Sequence, residues 1–365
     1  MPLNTISSDR LATNVKNTNF TAAEKQDLTD DIKPLLGSSG GGNKNLVING
    51  AMQIAQRGTS ATNSGYGTID RWISSYGGTD EATTQEQVSV SSGTTPYAAG
   101  FRKAFKITNG NQTSGAGAGD YIFLYHTIEA QNIANSGWNY TSATSFITLS
   151  FYVKSSIAQN FYAYVRSTDG TPQSYPFETG TLTAGQWTKI TKTIPGNSNL
   201  QFDVNTDTGF YLILSPFMGT DYTASGVTLN QWAAYNDGTR SPDNTSTWYT
   251  TNDATWELTG VQLEVGNVAT EFEHETPGQV LEKCQRYYEI GGTYHTSDTA
   301  SGALGRTNIH FHTKKRADPT VTLTVTGGQT GAMEFTSPSG FAYRTRGSLV
   351  GDSTEFTFTA NSEIQ

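Results

Sequence analysis

His310 and His312 are the closest pair among five histidines. Their i, i+2 spacing places both on one face of a strand, where zinc could bind if further ligands converged. The lone Cys284 is remote in sequence and no carboxylate completes the pattern, so neither metal nor other cofactor is expected. Copies of the pair meeting around a symmetry axis are the one arrangement that keeps a metal open. Glycoside hydrolysis needs two carboxylates about 5 to 10 Å apart, one of them desolvated. Glu257 and Glu264 stand too far apart along one strand-like run unless that strand bulges. Asp80, Glu81 and Asp253 fall in loops, where solvation is the default. "GAGAG" at 115–119 meets Asp120 where a dinucleotide fingerprint needs glycine. No catalytic residue is assigned, and the chain is not expected to be an enzyme.

Sugar binding asks for less: an aromatic face for the apolar side of the ring, and polar groups for its hydroxyls. Three loop-like stretches offer this, "SGWNYTS" with Trp138 and Tyr140, "NQWAAYNDG" with Trp232 and Tyr235, and "TSTWYTTND" with Trp248 and Tyr249. Either these six form a carbohydrate platform or they cap the ends of a core.

The elements that must position such residues are β-strands. Only 15% of the 365 residues are charged, and the missing charge is replaced by Thr, Ser, Asn, Gln and 38 Gly. Threonine and aromatic residues favour a pleated surface, while Gly and Asn supply turns. Strand-like runs recur from "TIDRWISSY" to "TWELTGVQLEV", about nine of them, and "SFITLSFYVK" alternates strictly. They predict an all-β chain whose body, 44 to 275, is an antiparallel, jelly-roll-like β-sandwich. Residues 1–43 read as an arm: Thr21 and Glu24 form a capping box for a short helix from about 22 to 32, and "GSSGGGN" is a flexible linker. "ETPGQVLEKCQRYYEI" predicts a connecting helix over 276–290, with Val280, Cys284, Tyr287 and Tyr288 at helical spacing. The remaining strands, 291–365, make a small C-terminal β-domain.

A net charge of −9 excludes a broad nucleic-acid-binding field, and the basic run Lys314-Lys315-Arg316 reads as a solvated strand end. No apolar stretch approaches a membrane span, and Met1–Arg10 lacks the features of a secretory leader, so synthesis in a cytoplasm without membrane insertion is expected.

The stretch "NLVINGAMQIAQRGTS" at 45–60 fits a short buried strand, a turn at Asn49-Gly50 and a second apolar piece. Asp70 could pair with Arg71, or Arg71 could cross to Glu257 or Glu264. Followed by "GTIDRW", the stretch resembles the opening of a module found in bacteriophage tail-fibre and other virion-appendage proteins. "GVQLEVGNVATEFEHETPGQVLEKCQRYYEI" is similar to the closing motif of that module, and "KKRADPTVTL" to the segment that opens the small β-domain behind it. The resemblance implies a sandwich similar to carbohydrate-binding modules, and a virion tail-fibre subunit that recognises host-surface glycan. The arm would dock to the tail or its adaptor proteins. A capsid-decorating or head-fibre protein is the alternative, and a polysaccharide depolymerase the third. The helix and the open strand edges of two modest β-domains predict a homotrimer.

Overall fold

The computed structural model of the protein describes residues 44–296, 304–328, 331–346 and 353–364. The arm at 1–43, with its expected helix and linker, lies outside the described residues. Asn45–Gln365 forms one compact unit.

Two antiparallel six-stranded sheets enclose the main core. The first runs β1 (Ser60–Ala61), β3 (Thr84–Ser89), β4 (Lys103–Thr108), β12 (Thr255–Val265), β6 (Phe146–Ser155), β9 (Thr188–Pro195). The second runs β11 (Ala233–Ala234), β8 (Gln173–Thr181), β7 (Asn160–Ser167), β10 (Thr208–Met218), β5 (Tyr121–Glu129), β2 (Trp72–Gly77). The fold is the all-β antiparallel sandwich that the alternating runs predict. In β6, Ile147, Leu149, Phe151 and Val153 are buried and share one cluster with Leu124, Phe210 and Leu212 of the facing sheet. Burying each such side chain contributes about 1.5–3 kcal/mol. The sequence runs missed β8, which contains Pro176. Proline is tolerated there because β11 covers only Gln173 and Ser174, so the ladder beyond them is nearly an edge.

Residues 45–55 do not form the expected short buried strand. The pairing of β4 with β12 ends at Leu258, and the opening segment takes up the side of β12 beyond it. Leu46 N–H donates to the Leu263 carbonyl, and Val261 N–H to the Gly50 carbonyl, both at 2.9 Å. Asn49, at φ 59°, holds the turn. Its amide nitrogen donates to the carbonyls of Ile54 (2.9 Å) and Asp70 (3.0 Å), and its Oδ1 accepts from Gln53 N–H at 2.8 Å. A side chain at Gly50 would place its Cβ 2.0 Å from the Val261 carbonyl oxygen, so the backbones approach as only glycine permits.

β12 changes face midway. Trp256 and Leu258 are buried on one side of the break, and Val261 and Leu263 on the other. The register against β6 slips between Thr259 and Gln262, where Gly260 sits at φ 65°. One extra residue in a left-handed conformation is a β-bulge, and it re-aims every side chain that follows.

The connecting helix, α4 (Pro277–Gln285), is shorter than expected, although Thr276 and Gln279 close a capping box at its start. It follows three short helices, α1 (Thr95–Ala98), α2 (Ala130–Ala134) and α3 (Thr247–Thr250). The residues after Gln285 leave the helix because their side chains are engaged elsewhere. Arg286 binds Glu129 with two 2.8 Å hydrogen bonds, and the Tyr287 hydroxyl donates to the same carboxylate at 2.6 Å. Tyr288 starts β13 (Tyr288–Thr296), which pairs with β18 (Ser353–Asn361). β15 (Thr320–Gly328) completes that sheet, and β14 (Leu304–His310), β17 (Gly340–Arg346) and β16 (Gly331–Ser337) make another. Their core includes Phe311, Phe341, Tyr343, Phe356 and Phe358.

The chain end closes back on the opening motif. Arg71 is fully buried and pairs with Glu363, not with Asp70, Glu257 or Glu264 as the sequence suggested. Its guanidinium lies 3.5 Å over the Tyr287 ring, as Arg57 does over Tyr288. Tyr66 donates to the Ile364 carbonyl at 2.8 Å. Asp70 instead takes the Gln56 backbone N–H at 2.9 Å. The basic run is also structural: Lys315 is buried against Glu289, and Arg316 donates to the carbonyls of Ser362 and Thr206. No described helix is long and apolar enough to cross a membrane.

Candidate functional site

The face of the second sheet that points away from the core is aromatic. On β5, Ile122, Leu124 and Ile128 join the core while Tyr121, Phe123 and Tyr125 take the opposite parity. On β7, Phe161, Ala163 and Val165 go inward, which puts Tyr164 and Arg166 outside. On β10, Phe210, Leu212 and Leu214 go inward and leave Tyr211 and Ile213 beside them. The segments on either side of β11 add Tyr222, Tyr235, Asp237 and Arg240, and the whole lines an open cleft of about 370 Å³.

The rings are ordered by contact with one another. Tyr121 and Phe123 stack at 4.7 Å with an 18° interplanar angle, and Tyr164 lies nearly parallel to Tyr235 at 6.5 Å. The Arg166 guanidinium sits 3.7 Å above Tyr235, and that of Arg240 4.7 Å from the Tyr222 ring. Asp237 Oδ1 accepts from the Tyr235 hydroxyl at 2.6 Å and from Arg240 at 2.8 Å. Those two bonds, Tyr235 first, hold its carboxyl below the usual range, so it is charged at neutral pH. Burial raises the phenols of Tyr164 and Tyr235, and pushes Tyr125 up to about 12, so all three remain protonated hydrogen-bond donors. The Nε atoms of Arg166 and Arg240 are buried with no hydrogen-bond partner among the described residues. An unsatisfied buried donor costs about 1–3 kcal/mol. The cleft thus offers ring faces, phenolic hydroxyls and the side chains of Arg166 and Arg240.

Of the six aromatics proposed from sequence, Tyr235 alone lines this cleft. Trp138, Trp248 and Tyr249 are corrected to core positions, at 3%, 0% and 0% exposure. Their rings close the ends of the sandwich: Trp138 Nε1 donates to the Ser145 carbonyl, Trp248 Nε1 to Thr255, and Tyr249 stacks on Phe217 at 4.3 Å. Tyr140 is half-buried and meets Phe202 edge-on at 4.9 Å. Trp232 is buried, donates to the Pro195 carbonyl at 2.7 Å, and borders a separate groove of about 470 Å³ with Ser174, Gln231 and Thr239. Trp138, Trp248 and Tyr249 present no ring face to a ligand. Sequence reasoning missed Tyr121, Tyr125, Tyr164 and Tyr211 because they lie on strands, where an aromatic residue defaults to the core.

The carboxylates weighed for hydrolysis are tied into local structure. Glu257 pairs with Lys154 at 2.7 Å, and Glu264 accepts from Thr270 N–H and Oγ1. Ser114 bonds Asp80 through N–H and hydroxyl, which lowers its pKa. β14 ends at His310, so His312 does not share its strand face; His312 Nδ1 lies 2.8 Å from Glu289. Among the described residues, no group of three or more His, Cys, Asp or Glu is placed to hold a metal ion.

No protein-family model matches the chain, and no curated protein matches it. Among solved structures, it is similar to a Bacteroides thetaiotaomicron protein provisionally assigned to sugar binding. That match has 13% identity and a TM-score of 0.31, and covers 61% of this chain and 100% of that one. The enzymatically active domain of tailspike protein 4 from bacteriophage CBA120 matches at 12% identity and TM-score 0.32, covering 61% of this chain and 22% of that one. A xylan-binding domain from Paenibacillus barcinonensis matches at 11% identity and TM-score 0.28, over 58% of this chain and 94% of that one. At this level of similarity, function has to be argued from the cleft itself.

Proposed function

We propose that the protein is a virion appendage subunit, a tail fibre, that binds host-surface glycan in the aromatic cleft without cleaving it. The cleft carries the binding half of this reading. Six tyrosines and one phenylalanine line one open face together with two arginines and an aspartate, which is the combination of apolar ring faces and fixed polar groups that a sugar requires. Among the described residues, Asp237 is the one carboxylate lining the cleft, whereas hydrolysis calls for two. The appendage half rests on the opening and closing motifs. Their meeting at Arg71, Tyr287 and Glu363 supports reading them as the two ends of one module. A sugar stacked on one ring gains about 0.5–1.5 kcal/mol beyond area burial, so a single site binds weakly and copies in a trimer raise avidity. Alanine at Tyr125 or at Tyr235 is expected to weaken binding of the full chain to purified surface polysaccharide by about 2- to 10-fold each, with the melting temperature nearly unchanged. Unaltered binding in both variants would refute the cleft as the site.

A further inference from the structure

Resting on that reading, we propose that the cleft selects saccharides bearing an anionic group, a carboxylate or a sulfate, and that Arg166 receives it. The chain carries a net charge of −9, yet two arginines face one aspartate in the cleft, which leaves one positive charge there. Asp237 is already engaged by Arg240 and Tyr235. Arg166 enters no salt bridge among the described residues, and its Nε is buried without a partner. It is held from behind: its backbone pairs with Tyr211 on one side and Ser174 on the other, in the interior of the sheet. Its guanidinium lies over the Tyr235 ring at 3.7 Å. Stacking of this kind occupies the face of the guanidinium and leaves the in-plane N–H edge to a ligand. A forked, charged donor edge fits an oxyanion, which can accept two bonds at once, better than a lone hydroxyl. The surrounding tyrosines lower the local dielectric, which strengthens the pairing.

Calorimetry on the full-length protein separates this selectivity from glycan binding as such. The probes are oligogalacturonides and alginate oligosaccharides for carboxylate, carrageenan oligosaccharides for sulfate, and the carboxyl-reduced or desulfated counterpart of each. At least one anionic series is expected to bind about tenfold or more tightly than its neutral counterpart. The tighter series identifies the oxyanion, and its affinity should fall between low and high salt. Arg166→Gln is expected to abolish the difference between each anionic series and its neutral counterpart. Should that variant fail to fold, Arg240→Gln and the salt series of the natural protein carry the test. Equal binding of charged and neutral partners, lost in Tyr235→Ala, overturns the anion selectivity and leaves the glycan-binding reading standing. Absence of binding in every series overturns both.

Discussion

A tyrosine on a strand face presents an apolar ring while its hydroxyl keeps contact with water. That property separates the two faces of β5: Tyr121 and Tyr125 line the cleft while Ile122 and Leu124 fill the core. The signal lies in "DYIFLYHTI", where tyrosine and aliphatic residues alternate, but loop tryptophans, being larger, are the more conspicuous candidates. Trp248 has no exposed surface, so Trp248→Ala is expected to cost about 3–5 kcal/mol in urea unfolding. Tyr235→Ala should stay within about 1 kcal/mol. His126, buried against Trp72 at 5.2 Å, sets a pH dependence. Burial first, and the Arg71 charge second, hold its pKa well below 6.5, so it is neutral in the fold. The unfolded chain takes up that proton more readily. Its contribution to stability is therefore full above about pH 6.5 and is lost as pH falls below that value. Urea midpoints measured between pH 7 and 5 should decline, and His126→Gln should remove part of that decline; an identical decline in the variant would contradict the assignment.

Strands with clean alternation were legible from sequence, as β6 and β7 show. What escaped were elements whose existence depends on a neighbour: the two-residue β1 and β11, the proline-containing β8, and the opening segment, which runs beside β12 without being a strand. The bulge in β12 belongs to this class as well. The alternation of "TWELTGVQLEV" breaks at Gly260, and only the facing register with β6 shows the break to be an inserted residue. A methyl group at Gly260 would meet the Phe101 ring at 2.6 Å in a left-handed backbone. Gly260→Ala should therefore lower stability by about 1–3 kcal/mol, read from a thermal melt. A melt unchanged from the natural protein would mean that the bulge accommodates a side chain.

Across the whole molecule, the opening motif, the closing motif and the last residues of the chain converge on one buried polar junction. Composition announced an all-β chain, but Arg71 could not be assigned to Glu363 from sequence, since 292 residues separate them. Glu363→Gln leaves the Arg71 charge buried without its partner, and is expected to cost about 3–5 kcal/mol. The proposed assembly makes two further expectations: light scattering of the intact protein should give a homotrimer, and deletion of 1–36 should leave a folded protein that no longer assembles on particles. The central claim is that the cleft on the outer face of the second sheet binds glycan. Its most direct test is a glycan array probed with the full-length protein and with a Tyr125→Ala/Tyr235→Ala variant of matched melting temperature. Binding to a defined class of glycan by the natural protein, lost in the variant, is the predicted result; binding that survives the double substitution, or no binding across the array, would contradict it.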